Sequence, residues 1–444
     1  MAQEARIDVT TLFHEAAGDP NAPELSDMAR MSASGPWFGM PGVRRPAPGT
    51  ARYQEWPLRS HRPYLGVYGR GTARMYLANG HDAPVRPFLF ADGFAYGPSD
   101  LDGLFDWLDA PYSATGDRFL DQLLSSGVDV ILIGFDKRHD YIQVNAGVVQ
   151  ECIHRVLRER VGAAPLMVGG VSLGGMITRY ALAQLESEQV DHETAVYLSL
   201  DSPHNGAWIP LILQQMAYFF EQFGGDTPGQ ADLLRSPAAQ QLTWAWVRDS
   251  RYSGPVATSS PLRAQFLREL REIGNFPHRP IKLGVANGRG DGVGSDRIVP
   301  GEIAFEKRYP LDAAGAVARF QPDNGELEWS GGMHFMLEQR TTRTTAVPPL
   351  DGAPGGLLDS FGRVADVLGV ELDPGLRSGC FVPSVSAVAV DYDPVQWEVD
   401  LHENLRTLDP SRSLLDEFCC NDTNSEHSRV TRTLAEWILA RIAK

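Results

Sequence analysis

Residues 165–175 read Pro-Leu-Met-Val-Gly-Gly-Val-Ser-Leu-Gly-Gly, and Met176-Ile177-Thr178-Arg179-Tyr180-Ala181-Leu182 follow directly. Pro165–Val171 is an apolar run of strand length, and Leu173–Leu185 has the spacing of a helix. Ser172 therefore stands at an immediate strand-to-helix turn, with Gly170 two positions before it and Gly174 two positions after. So sharp a turn crowds strand against helix at those two positions and forces the serine into a strained backbone conformation. Its Oγ then projects from the C-terminal edge of a sheet, at a helix N-terminus.

The flanking sequence repeats this alternation. Val128–Phe135 (VDVILIGF) runs apolar without a period of two, the mark of a strand buried on both faces. Ala146–Arg160 aligns Val148, Val149, Cys152, Ile153, Val156 and Leu157 on one helical side. Val85–Phe90 and Ala195–Leu200 read as further strands, Phe105–Leu108 and Phe119–Ser125 as helices, and Pro63–Tyr68 and Arg74–Leu77 as short edge strands. The pattern predicts an α/β fold with a mostly parallel central sheet and helices on both faces. Residues 1–60, rich in Pro, Gly and Ala, read as an irregular N-terminal arm. Residues 61–206 and 281–444 read as the core, and 207–280, with helical periodicity only, as an inserted helical cap. In the last part, Ile281–Ala286 and Phe381–Val390 read as strands. Val317–Phe320 and Glu326–Trp329 read as a hairpin through Asp323-Asn324-Gly325, and Ser428–Lys444 as an amphipathic helix.

Composition narrows the function classes. A chain of 444 residues with 43% hydrophobic and 22% charged residues can bury a large core without disulfides or metals. The net charge of −16 and the scatter of the cations, densest at Arg44-Arg45 and Lys137-Arg138, argue against a nucleic-acid partner. No run of 18 apolar residues exists, so no integral membrane segment is expected. Met1–Thr11 carries Glu4 and Asp8 and does not read as a signal peptide. Four cysteines without CxxC spacing fit free thiols in a reducing compartment, so a cytoplasmic location is expected. There is no Walker sequence and no HExxH, and Asp136, His139 and Asp140 read as a solvated loop at a strand end. No cofactor and no metal are implied.

The strand–Gly-Val-Ser-Leu-Gly–helix unit resembles the nucleophile elbow of the α/β-hydrolase superfamily, in particular its lipase and esterase branch. A second feature points the same way: Pro203-His204-Asn205-Gly206 is similar to a Pro-His-x-Gly turn of many bacterial lipases. The resemblance covers residues 85–210 clearly and 281–444 through the order of elements. It implies an α/β-hydrolase fold, Ser172 as nucleophile, and a Ser, acid, His order along the chain. His427, in the polar loop before the last helix, takes the place of the base; His402 is the reserve, and His204 belongs to the turn. Three acids stay open. Asp291, soon after Ile281–Ala286, is the first choice. Asp201 ends the preceding strand, and Asp296 lies in Asp-Arg-Ile-Val-Pro, similar to the Asp-x-x-Val-Pro of many esterases. The oxyanion hole would use the backbone N–H groups of Leu173 and Phe94. Residues 208–220, from Trp208 to Phe220, could line an acyl pocket as a lid or simply pack the insert on the core. The expected reaction is cleavage of a small-molecule or lipid-like carboxylic ester through an acyl-enzyme. The alternatives are an acyltransferase, a lactone-forming or lactone-cleaving enzyme with the same triad, or an inactive hydrolase-fold binding protein.

Overall fold

A computed structural model describes residues 53–221, 229–249, 251, 259–309, 314–322, 328–335, 338–344, 347–396 and 398–443. Its strands are β1 (Gln54–Arg59), β2 (Arg70–Tyr76), β3 (Pro87–Ala91), β4 (Asp129–Phe135), β5 (Leu166–Val171), β6 (Thr194–Leu200), β7 (Ile281–Arg289), β8 (Ile303–Arg308), β9 (Ala314–Arg319), β10 (Glu328–Phe335), β11 (Glu338–Thr344), β12 (Gly355–Leu358), β13 (Gly379–Pro383) and β14 (Glu417–Asn421). Its helices are α1 (Leu101–Leu108), α2 (Phe119–Ser125), α3 (Ile142–Glu159), α4 (Leu173–Ser187), α5 (Leu211–Glu221), α6 (Gln230–Arg235), α7 (Pro237–Leu242), α8 (Pro261–Glu272), α9 (Ser360–Val367), α10 (Ser384–Ala387) and α11 (Arg432–Ile442).

Eight strands form one sheet in the order β1-β2-β4-β3-β5-β6-β7-β14. From β4 to β14 all neighbours are parallel, whereas β2 runs antiparallel to both β1 and β4. The apolar runs are continuous because both faces are covered. On β3 and β4, Leu89, Ala91, Ile131 and Ile133 turn toward the cluster that holds α3 and α4. Their neighbours Phe88, Phe90, Val130 and Leu132 turn toward α1, α2 and α11. Fully burying each of the Val, Leu, Ile and Phe side chains among them is worth roughly 1.5–3 kcal/mol. Helix α1 starts where it does because the Asp100 carboxylate accepts from the Gly103 N–H at 3.0 Å.

Several sequence expectations need correction. The arm read as irregular to residue 60 includes the edge strand β1, while residues 1–52 lie outside the described residues. Pro63–Tyr68 is not a strand: Tyr64 and Val67 exchange both backbone hydrogen bonds around a two-residue turn. Phe381–Val390 is strand only to Pro383 and then turns into α10. Strand β14 carries no strand signal in the sequence, because Glu417-Phe418-Cys419-Cys420-Asn421 is short and lacks an apolar run. Between β6 and β7 the described elements are the four helices α5 to α8, but the segment after β7 carries a second sheet, ordered β11-β10-β9-β8. Charged residues such as Glu306, Lys307, Arg308 and Arg340 hide these strands from an apolar-run reading. The expected hairpin is present as the antiparallel β9–β10 pair; its turn, Asp323-Asn324-Gly325, lies outside the described residues.

Asp351 ties three parts of the fold together. Its carboxylate is buried and accepts from the Trp208 Nε1–H at 2.6 Å and from the Gln321 N–H at 2.6 Å. Burial pushes its pKa up to about 6, against the opposing effect of these two donors. An aspartate in the unfolded chain ionises near ~3.9. Between the two values the folded state binds more protons than the unfolded one. This group's contribution to stability is therefore complete below about pH 4 and lost as pH rises through 6. The loss is about 3 kcal/mol, from roughly two pKa units. Asp351→Asn cannot titrate, so its stability penalty relative to wild type should be larger at pH 4 than at pH 7. Urea unfolding at the two values measures this, and an equal penalty at both would refute it.

Candidate active site

The strand order dictates where a site can form. The chain leaves β3 for β4 on one side and reaches β5 on the other, so the loops after β3 and β5 part at their C-terminal ends. The crevice at such a switch point is where open α/β sheets place ligands. Ser172 lies there, between β5 and α4, at φ 54° and ψ −124°. The elbow leaves no space for side chains: a Cβ on Gly170 would sit 2.2 Å from the Gly174 carbonyl carbon, and one on Gly174 would sit 2.2 Å from the Ala91 oxygen. The Ser172 N–H is held by the Leu200 carbonyl at 2.8 Å.

His427 reaches this serine from the loop between β14 and α11. The loop is pinned to β12: Leu357 N–H donates to the Ser425 carbonyl at 2.9 Å and His427 N–H to the Leu357 carbonyl at 2.8 Å. His427 Nε2 lies 2.7 Å from Ser172 Oγ, and its Nδ1 lies 2.7 Å from Asp201 Oδ2. The Phe381 ring packs edge-on against the imidazole, 4.9 Å between centroids. Ser172, His427 and Asp201 are all buried. An ionised carboxylate only accepts, so Nδ1 carries the proton and Nε2 is free to accept the Ser172 hydroxyl proton.

Asp201 follows β6 in a left-handed conformation, φ 49°. Its Oδ1 accepts from the Asn287 N–H at 2.9 Å, so the end of β7 fixes the carboxylate without supplying it. Gly356 allows the close approach of β12: a Cβ there would meet Asp201 Oδ2 at 2.0 Å.

The structure thus brings Ser172 and His427 together and puts Asp201, not Asp291, on the imidazole. Asp291 forms a two-pronged pair with Arg289, at 2.9 and 2.5 Å, which holds its carboxyl well below the usual range. Asp296 is exposed. His402 faces away, its Nδ1 2.9 Å from the Gly292 carbonyl. His204 is buried with Nε2 2.9 Å from Ser199 Oγ and Nδ1 3.3 Å from Arg179 Nη1. Burial, and then the Arg179 charge, push its pKa well down, so it is neutral, accepts at Nδ1 and leaves Ser199 without a base. The supporting groups Asn287, Gly356 and Phe381 carried no local sequence signal; each acts through contacts remote in the chain.

Leu173 is the first residue of α4, and its N–H is one of that helix end's free donors. Phe94 is buried in the loop after β3, and its N–H has no acceptor among the described residues. Among the described residues no three His, Cys, Asp or Glu side chains could hold a metal ion, and no helix is long and apolar enough to cross a membrane.

No protein-family model and no curated protein sequence matches the chain. It is similar to solved structures. A lipase of Bacillus licheniformis in its mature form shares 15% identity over 48% of this chain and 72% of that one, with TM-score 0.31. The chain spans 39% of the same lipase in its propeptide form. An esterase of Pyrobaculum calidifontis shares 13% over 62% and 83%, with TM-score 0.29. An ester hydrolase from the metagenome of Lake Arreo shares 15% over 64% and 89%, with TM-score 0.27.

Proposed function

We propose that this chain is a serine hydrolase of α/β-hydrolase type that cleaves carboxylic esters through an acyl-enzyme. The observation that carries the reading is the continuous hydrogen-bonded line Ser172–His427–Asp201, with the serine in a strained turn at the sheet's switch point. Ser172 Oγ attacks the ester carbonyl as His427 Nε2 takes its proton. Asp201 holds the Nδ1 tautomer and stabilises the imidazolium. The tetrahedral oxygen takes hydrogen bonds from the Leu173 and Phe94 N–H groups. His427 returns the proton to the leaving alcohol, and the acyl group stays on Ser172. Water, deprotonated by the same imidazole, then attacks the acyl carbon; the imidazolium passes that proton to the departing Ser172 Oγ as the acid is released. In this reading residues 207–280 act as a cap over the core, and the substrate is a small-molecule or lipid-like ester.

The test is labelling with a fluorophosphonate, followed by a panel of p-nitrophenyl esters of graded chain length. The expected result is one label, on Ser172, and ester turnover that the label abolishes. A folded protein that neither labels nor turns over any ester would leave the chain as a binding protein on a hydrolase scaffold.

A further inference from the structure

An oxyanion hole works only if its donors are fixed before the charge develops. The Leu173 N–H is fixed by α4. The Phe94 N–H sits in a loop containing Gly93 and Gly97, the latter at φ 78°, and such a loop needs outside support. Its ends are tied to β4, Asp92 N–H to the Ile133 carbonyl and Ser99 N–H to the Phe135 carbonyl, both at 2.9 Å. Between those ends, among the described residues, the hydrogen bonds that reach residues 93–97 from outside the loop come from two consecutive residues after β4, Arg138 and His139.

His139 Nδ1 accepts the Gly97 N–H at 3.2 Å, so the ring, kept neutral by burial, carries its proton on Nε2. The same ring stacks on Tyr96 at 4.6 Å, with the planes 4° apart. The Arg138 N–H donates to the Gly97 carbonyl at 3.2 Å. The Arg138 guanidinium reaches Asp92 Oδ2 at 3.4 Å and the Tyr96 carbonyl at 3.5 Å, at the long end of hydrogen bonding. Asp92 is buried, and its other oxygen accepts from the Gly93 N–H at 2.7 Å. The two residues thus grip the loop on both sides of Phe94, at Asp92 and at Tyr96–Gly97. The His139 carbonyl also accepts from the Ala238 N–H at 3.2 Å, which joins this grip to α7.

We propose that Arg138 and His139 are positioning residues for ester cleavage, clamping residues 92–97 so that the Phe94 N–H stays where the oxyanion forms. The clamp rests on the reading of Ser172 as nucleophile. A displacement of about 1 Å of one donor is enough to lower the rate about 100-fold, so loosening the loop should cost turnover without costing the fold.

The test uses the full chain and a fluorophosphonate, whose phosphonyl oxygen enters the oxyanion position and needs no known substrate. His139→Phe keeps a ring on Tyr96 but removes the Gly97 acceptor; Arg138→Met removes the cation. Each should slow labelling of Ser172 by about 10- to 100-fold with the thermal midpoint near wild type. His139→Asn, whose Oδ1 can accept the Gly97 N–H, and Arg138→Lys should recover most of that rate. A merely structural role would move the midpoint and the labelling rate together. Wild-type labelling rates in both His139→Phe and Arg138→Met would overturn the clamp and leave the nucleophile assignment standing. Absence of label in wild type would instead remove the nucleophile assignment, and the clamp with it. If His139→Phe does not fold, the Arg138→Met and Arg138→Lys pair decides.

Discussion

Ser172→Ala is expected to fold like wild type and to lose about 10^3-fold or more of ester turnover. Alanine fits the elbow, because the crowded positions are Gly170 and Gly174, on either side of the serine. Without Oγ, no acyl-enzyme can form, and what remains is water attack assisted by the oxyanion donors. His427→Ala should fall to a similar residual rate, and the double variant should fall no further, because nucleophile and base act as one unit. Steady-state kinetics on the most reactive p-nitrophenyl ester, with circular dichroism to establish folding, measures all three. Near-normal turnover by Ser172→Ala would sink the proposed mechanism.

Asp201→Asn is expected to lower kcat by about 10^4-fold while KM changes little. An asparagine amide placed on the imidazole presents a donor as readily as an acceptor, which favours the tautomer with its proton on Nε2, where the Ser172 proton must go. The substitution also weakens the acceptor for the Asn287 N–H, so a stability measurement belongs beside the kinetics. Asp291→Asn should leave kcat within a few-fold, since what it loses is a partly exposed ion pair with Arg289, and an amide oxygen can still accept the Val293 N–H. The opposite result, an active Asp201→Asn beside an inactive Asp291→Asn, would move the orienting role back to the loop after β7.

Those two aspartates also show how far the sequence could be read. Residues 165–175 could be interpreted by themselves because strand, turn and helix are successive, and the glycines that the turn requires are two residues from the serine. His427 was legible through the resemblance, which implies a late histidine before the last helix, and a polar loop before an amphipathic helix can be found by position. The choice between Asp201 and Asp291 was not local. Both end a strand, and β6 and β7 are neighbours in the sheet, so either loop lies at the correct edge. What separates them is that Arg289 claims Asp291 two residues away, while the Asp201 turn at φ 49° points its carboxylate under the His427 loop.

Covalent neighbours and short-range periodicity, which sequence states directly, determined the α/β alternation and the sharp serine turn. The partnership of groups far apart in the chain was decided only by tertiary structure. Ser172 and His427 are 255 residues apart, and Asp201 and His427 are 226 apart. The eighth strand, the second sheet and the supports of the loop after β3 belong with them, because each is stabilised by contacts that no local pattern encodes. A periodic segment can declare which face it buries, but a single hydrogen-bonding side chain declares only what it can bond, and the fold supplies the partner.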